Sequence, residues 1–301
     1  MVEAHEREGK QRMEKQRIFI DDILSNENMN RAYKQVIKNK GAAGIDGMEC
    51  NDLLSHLKVN GHQLRESIRN QSYKPMPVKR VEIPKDNGSK RKLGIPTVTD
   101  RMIQQAAAQV LTPIYERKFH TNSYGFRPGK SAQQAVLKAA EYMNEGYNWV
   151  VDIDLEKFFD TVEHDKMISI LNKEIKDGKT LSLIRKFLAS GVMVGEQMEE
   201  TEIGTPQGGN ISPLLANILL NELDWELESR GLRFVRYADD CIILVRSEKA
   251  ATRVMKSVTK YIENVLRLKV NKDKSRIGRP TEIKYLGFAF YYQFQEKKYR
   301  M

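Results

Sequence analysis

Leu232-Arg233-Phe234-Val235-Arg236-Tyr237-Ala238-Asp239-Asp240-Cys241-Ile242-Ile243-Leu244-Val245 decides how this chain folds. Two apolar, β-type runs, Leu232–Tyr237 and Cys241–Val245, flank a short break. Strand, tight turn and second strand make a hairpin, and Asx residues tolerate the backbone angles of such a turn. The hairpin carries Asp239 and Asp240 side by side at its tip. Carboxylates in contact repel one another unless a cation lies between them. Mg²⁺ suits that place, because it takes hard oxygen ligands and leaves room for phosphate and water. Alone, the pair also fits an ordinary surface turn, so the neighbouring motifs decide.

The second motif is Val150-Val151-Asp152-Ile153-Asp154-Leu155-Glu156-Lys157-Phe158-Phe159-Asp160. Its alternation reads as a strand with Asp152 and Asp154 on one face. Paired beside the hairpin, that strand brings a third carboxylate to a shared metal site; at a sheet edge, its acids simply face solvent. Two metals ~3.5–4 Å apart, clamped by carboxylates, are a common device for in-line displacement at phosphorus. The third motif is Gly204-Thr205-Pro206-Gln207-Gly208-Gly209-Asn210-Ile211-Ser212-Pro213. Glycines let backbone approach a ligand, and Ser212 before Pro213 predicts a helix N-cap and first position. Leu214, Leu215, Ile218, Leu219, Leu223 and Leu227 then form a helical apolar stripe that stops at Gly231.

In this order the three segments resemble the palm motifs of reverse transcriptases, and more closely those of group II intron reverse transcriptase/maturases. Further strings of that family are present: Arg80-Val81-Glu82-Ile83-Pro84-Lys85, Leu93-Gly94-Ile95-Pro96-Thr97 with Asp100-Arg101 and Gln104-Gln105, and Ser123-Tyr124-Gly125-Phe126-Arg127-Pro128-Gly129. Tyr285-Leu286-Gly287-Phe288 follows near the end. The resemblance runs from Asp22 to Tyr292. It implies an α+β, right-hand polymerase: residues 1–149 as amino-terminal extension and fingers, residues 150–301 as a palm whose antiparallel sheet packs on helices. The family normally continues into a helical thumb after Tyr285–Phe288; the chain ends at Met301, so a thumbless fingers–palm piece is expected.

The activity implied is RNA-directed DNA synthesis: a primer 3′-hydroxyl attacks the α-phosphorus of a deoxynucleoside triphosphate. Asp154, Asp239 and Asp240 are the expected ligands of two Mg²⁺ ions, for which Mn²⁺ can substitute. Asp154 is preferred to Asp152 because the family's bulky residue lies five positions after the metal aspartate, at Phe159. Asp152 stays open as the alternative. Phe159 would clash with a 2′-hydroxyl and so favour deoxynucleotides, while Phe158 is expected in the core. Lys85 and Arg91 resemble the triphosphate clamp. Lys79 and Arg80 join that clamp or touch RNA, and Arg127 is expected on the template. Gln207 and Gly208 are expected against the incoming nucleotide. Lys274 resembles a general acid toward pyrophosphate, and Tyr285–Phe288 a primer-holding hairpin. Expected partners are group II intron RNA, an RNA template with DNA primer, deoxynucleoside triphosphates and a second copy of the chain. The resemblance thus implies intron splicing and copying during retrohoming. The alternative is an RNA-binding splicing cofactor with little polymerase activity.

Charge supports a phosphate-tracking groove. Net charge is +10, and Gln71–Lys130 carries 12 Lys/Arg against 4 Asp/Glu. Lys269–Met301 carries 9 against 3, whereas Ser131–Leu268 carries 17 against 22. An acidic centre flanked by basic segments suits metal-binding acids beside nucleic acid. Cys50 and Cys241 give no disulfide framework or metal-type spacing. Met1–Arg17 is charged, so no secretory leader is read there, and no run reaches the ~18 apolar residues of a membrane span. A cytoplasmic location away from membranes is the expectation.

Periodicity predicts helices over Asn26–Lys40, a short one from Asn51 to Leu57, and others over Arg101–Tyr115 and Ser131–Asn144. Val78–Ile83 and Lys90–Ile95 predict a basic hairpin turning at Asp86-Asn87-Gly88. Irregular mixing of helices and strands indicates α+β.

Overall fold

The structure is a computed structural model. It describes residues 19–84, 88, 90–195, 197–199, 203–204 and 208–301. The amino-terminal helices are α1 (Ile20–Leu24) and α2 (Asn26–Asn39). Ser25 Oγ caps α2 by accepting from Asn28 N, and Lys40 closes it in a left-handed conformation with φ 46°. Helix α3 (Leu53–Arg69) is much longer than the predicted stretch ending at Leu57. Gly61 does not break it, because Leu53, Leu57, Leu64 and Ile68 keep one face against the core across the glycine.

Strands β1 (Val78–Pro84) and β2 (Lys90–Ile95) form the basic hairpin, with Pro84 opposite Lys90 and Lys79 opposite Ile95. Helices α4 (Val98–Glu116) and α5 (Ala132–Asn144) follow. Next come β3 (Trp149–Ile153), α6 (Phe158–Thr161), α7 (His164–Leu171) and α8 (Gly178–Leu188). Strands β4 (Val192–Val194) and β5 (Gln197–Glu199) extend the hairpin into a sheet ordered β2-β1-β4-β5.

Helix α9 is Ser212–Ser229. Ser212 was expected as its N-cap; instead Ile211 is the cap, and Ser212 and Pro213 open the first turn, where a missing N–H costs nothing. Strands β6 (Arg233–Tyr237) and β7 (Asp240–Val245) are the predicted hairpin. Helix α10 (Glu248–Asn264) and strand β8 (Arg276–Gly278) complete a second sheet of order β6-β7-β3-β8, antiparallel throughout. Two short ribbons close the chain: β9 (Lys284–Tyr285) with β10 (Phe288–Ala289), and β11 (Tyr291–Gln293) with β12 (Lys298–Arg300).

Alternation gives the second sheet two apolar faces. Val151, Ile153, Phe234, Ile243 and Val245 join the large core with α9 and α10. Val150, Val235, Ile242 and Leu244 pack with Ala135, Val136, Ala139 and Met143 of α5 and with Ile283, Tyr285 and Phe290. Asp152, opposite Ile242, and Asp240, two residues before it, belong to the second face, where apolar positions give way to acids at the hairpin end. No helix among the described residues is long and apolar enough to cross a membrane.

Candidate active site

The β6–β7 turn contains two residues, Ala238 and Asp239, because Tyr237 pairs with Asp240. An Asx residue was expected to take the unusual angle, but Ala238 holds the left-handed conformation, with φ 56°. A side chain there is disfavoured without external support. The support comes from Arg236, whose Nη1 donates to the Ala238 carbonyl at 2.8 Å. The same guanidinium is fully buried and donates to Asp224 through Nε (2.7 Å) and Nη2 (2.6 Å), to Asn217 Oδ1 (2.9 Å) and to Ser123 Oγ (2.8 Å). Asn217 Nδ2 in turn donates to the Gly125 carbonyl at 2.8 Å. Gly125 lies so close to the turn that a Cβ there would stand 2.2 Å from Ala238 N. The Ser123–Gly129 string therefore includes the brace behind the two aspartates. Sequence reading missed this network, although a charged residue at a core-facing strand position was its signal.

Register brings the acids together. Ile153 pairs with Cys241, so Asp154 leaves β3 beside the start of β7 at Asp240. The Asp154 backbone is clamped by the turn after α10: its N–H donates to Ser275 Oγ at 3.0 Å, and its carbonyl accepts from Asn271 N at 2.8 Å. Burial, reinforced by Asp239, Asp152 and Asp154, pushes the Asp240 carboxyl up to about 6; Lys274 pulls the other way. Asp152 is also raised by burial, against the nearby Arg276. The two β3 acids lean on cations, Asp154 on Lys274 at 3.8 Å and Asp152 on Arg276 at 3.5 Å. As these side chains stand, no three His, Cys, Asp or Glu groups among the described residues converge on one ion position. The donor set still fits a hard divalent cation: oxygen-only ligands whose mutual repulsion is visible at Asp240.

The other expected residues divide. Phe158 is buried, and Phe159, half-buried, meets it edge-on at 5.1 Å. Gly208 lies against strand β2: a Cβ there would be 2.3 Å from the Gly94 carbonyl oxygen, and its φ is 124°. Cross-strand register puts Lys79 and Arg91 on one face of the β1–β2 hairpin and Arg80 on the other. Tyr285 and Phe288 pair across a turn at Leu286 and Gly287, and Tyr285 Oη donates to the Val235 carbonyl at 3.2 Å. Lys85 and Gln207 lie outside the described residues. Arg127 was expected on the template; its guanidinium donates to Glu116 (2.6 Å), His120 O (2.6 Å) and Ser123 O (2.7 Å), with the side chain only 6% exposed. Arg127 is a structural brace for its own loop.

Residues 83–290 match the family model of reverse transcriptase (RNA-dependent DNA polymerase). The chain belongs to this family. It is 32% identical to protein YkfC of Escherichia coli, over 89% of this chain and 80% of that protein. It is also 32% identical to group II intron-encoded protein LtrA of Lactococcus lactis subsp. cremoris, over 85% of this chain and 54% of LtrA. The putative COX1/OXI3 intron 2 protein of Saccharomyces cerevisiae is 29% identical over 90% of this chain and 38% of that protein. The chain thus spans most of YkfC but about half or less of the two intron-encoded proteins. Among solved structures, a partial Cas6-RT-Cas1–Cas2 complex matches with TM-score 0.51 and 26% identity, over 81% of this chain and 42% of that one. Telomerase from Candida albicans with a telomeric RNA fragment matches with TM-score 0.53 over 72% of this chain and 43% of that one; at 13% identity this is a likeness of fold alone. The domain is a reverse transcriptase of the group II intron maturase kind, and enzymes of this family use divalent metal ions.

Proposed function

We propose that this domain copies an RNA template into DNA and binds the RNA of a group II intron, with residues 1–149 as extension and fingers and 150–301 as palm. The observation that carries the reading is the register that sets Asp154 beside the Arg236-braced turn of Asp239 and Asp240. Those three carboxylates would hold two Mg²⁺ ions, with Mn²⁺ a substitute. Bound ions supply charge neutralisation at the transferring phosphorus and an acidified primer hydroxyl. The primer 3′-oxygen bonds to the α-phosphorus, and pyrophosphate leaves.

The chain's own residues do the remaining work. Arg91 and Lys79, on one hairpin face, take the triphosphate, and Lys85 joins them. Gly208, which approaches Gly94 of β2, and Gln207 would line the incoming nucleotide. Phe159 excludes a 2′-hydroxyl. Lys274, 3.8 Å from Asp154, would protonate the leaving pyrophosphate. Arg80, on the opposite hairpin face, contacts RNA. The intron-encoded relatives support intron RNA as the partner.

Primer extension on an RNA template tests this reading. Asp239→Ala with Asp240→Ala should abolish divalent-dependent synthesis and leave RNA affinity within about twofold, because removing acids weakens no phosphate contact. Substantial DNA synthesis by the double variant would sink the assignment.

A further inference from the structure

Helix α10 carries a second basic surface inside the stretch of the chain that is acidic by count. Lys249, Arg253, Lys256 and Lys260 are spaced four, three and four residues apart, and all four are exposed. Residues three and four apart on a helix stand ~5–6 Å from one another on one face. The four therefore form a single stripe, ~16 Å long at 1.5 Å rise per residue. The opposite side of the helix is its core face, where Ala251, Val258 and Ile262 are buried.

Two features set this stripe apart from an ordinary solvated helix face. Some exposed cations elsewhere hold carboxylates, Lys173 with Glu222 and Arg185 with Asp165, while those without an ion pair, such as Lys34, Lys38, Lys58 and Lys179, form no row of four. Among the described residues, none of the four α10 cations has an ion-pair or hydrogen-bond partner. The helix's own acids, Glu248 and Glu263, sit at its two ends. The second feature is location. Helix α10 packs on the sheet face formed by Val151, Ile153, Ile243 and Val245, whereas Asp152 and Asp240 belong to the other face. A strand held at the aspartates is thus across the sheet from the stripe.

We propose that the α10 stripe is a docking surface for the phosphate backbone of folded RNA, separate from the primer–template path. Resting on the intron-RNA reading above, the proposal adds where on the palm that RNA sits. Charge complementarity names the partner: the four-residue row is cationic, with Thr252 and Ser257 as exposed neighbours, one acid, Glu263, at its far end and no exposed apolar anchor within it of the kind a protein interface centres on. Four cations at turn spacing suit a row of phosphates, and neutralising them releases counterions.

The test is a fourfold variant, Lys249→Gln, Arg253→Gln, Lys256→Gln and Lys260→Gln, in the full chain. Since these side chains are exposed and unpaired, thermal melting should match the parent. Binding to a primer-free hairpin RNA is titrated over a salt series, and primer extension is measured on a short RNA–DNA duplex. Each lost phosphate contact lowers the log–log salt slope by roughly 0.7–0.9, so loss of all four lowers it by roughly 2.8–3.6, with extension unchanged. A Lys249→Arg, Lys256→Arg and Lys260→Arg variant should bind as the parent does. An unchanged slope in the glutamine variant overturns the proposal. So does a loss confined to duplex DNA or to phosphatidylserine vesicles. If the parent fails to extend primers yet loses hairpin RNA through these substitutions, the polymerase reading falls and this one stands.

Discussion

Arg236 and Asp224 form a two-pronged ion pair between the second sheet and α9, at 2.7 and 2.6 Å, with both side chains fully buried. The pair links β6 to α9, and the remaining guanidinium donors reach Asn217, Ser123 and the Ala238 carbonyl. Buried pairs often add little net stability, because desolvation offsets attraction; their value can lie in fixing one geometry. Here the fixed geometry is the turn that bears Asp239.

Breaking one partner should therefore be costly in two ways. Arg236→Ala leaves Asp224 as an unpaired buried charge and should destabilise the domain by about 3–5 kcal/mol, read by urea unfolding. Arg236→Met with Asp224→Leu should recover much of that stability, since an apolar replacement removes both charges. Primer extension should stay impaired in the double variant, because nothing then holds the Ala238 carbonyl. Full recovery of both quantities would make the pair a stability element only.

Phe159→Val should admit ribonucleotides. Exclusion by bulk fails when the bulk is removed, so ribonucleotide use should rise far more than deoxynucleotide use. Single-nucleotide incorporation, scored as the ratio of kcat/KM for the two sugars, measures this. A ratio equal to the parent's would reopen Asp152 as the metal ligand, since the choice of Asp154 depends on the spacing to Phe159. Phe158, 2% exposed, should instead respond to truncation by losing stability.

Arg80→Glu with Lys92→Glu should flatten the salt dependence of template binding. Cross-strand register puts both on the hairpin face opposite Arg91, and Lys90, on that same face, is already held by Glu82 at 2.8 Å. Each contact removed should lower the slope by roughly 0.7–0.9. A slope matching the parent's would move the template surface off this hairpin.

Much of this site was legible in the sequence where one periodicity dominates. Strands β3, β6 and β7 stand out as short β-type runs bounded by turn residues, and the Leu214–Leu227 stripe fixes α9 within a residue. What stayed hidden depends on contacts between distant segments. Arg127 reads as a free cation in a glycine-bearing loop, and only the fold brings Glu116 to it. Arg236 faces the same side of β6 as buried Phe234, which demands a counter-ion, but the strand cannot say that Asp224 supplies it. Composition misled at α10, where two acids at the helix ends dilute a stripe that geometry concentrates. Helix α3 outran its reading because the leucine spacing resumes beyond Gly61, at Leu64 and Ile68.

Gly125→Ala should damage catalysis more than stability. The added Cβ would lie 2.2 Å from Ala238 N, and 2.9 Å from both Ala238 Cα and the Tyr237 carbonyl carbon. All three are backbone atoms, so no side chain can swing aside, and the Ala238–Asp239 turn must move. Overpacking of this kind costs about 1–3 kcal/mol. A displacement near 1 Å at a reacting group can cost on the order of 10²-fold in rate. Gly129→Ala is the matched control. Its φ is 71°, so alanine is strained there, but nothing lies within 4 Å of the new methyl. That variant should lose roughly 1 kcal/mol and keep its extension rate. Melting and single-turnover extension on both variants separate the two effects. If Gly125→Ala and Gly129→Ala slow extension equally, the contact between Gly125 and the turn does not set the position of the aspartates.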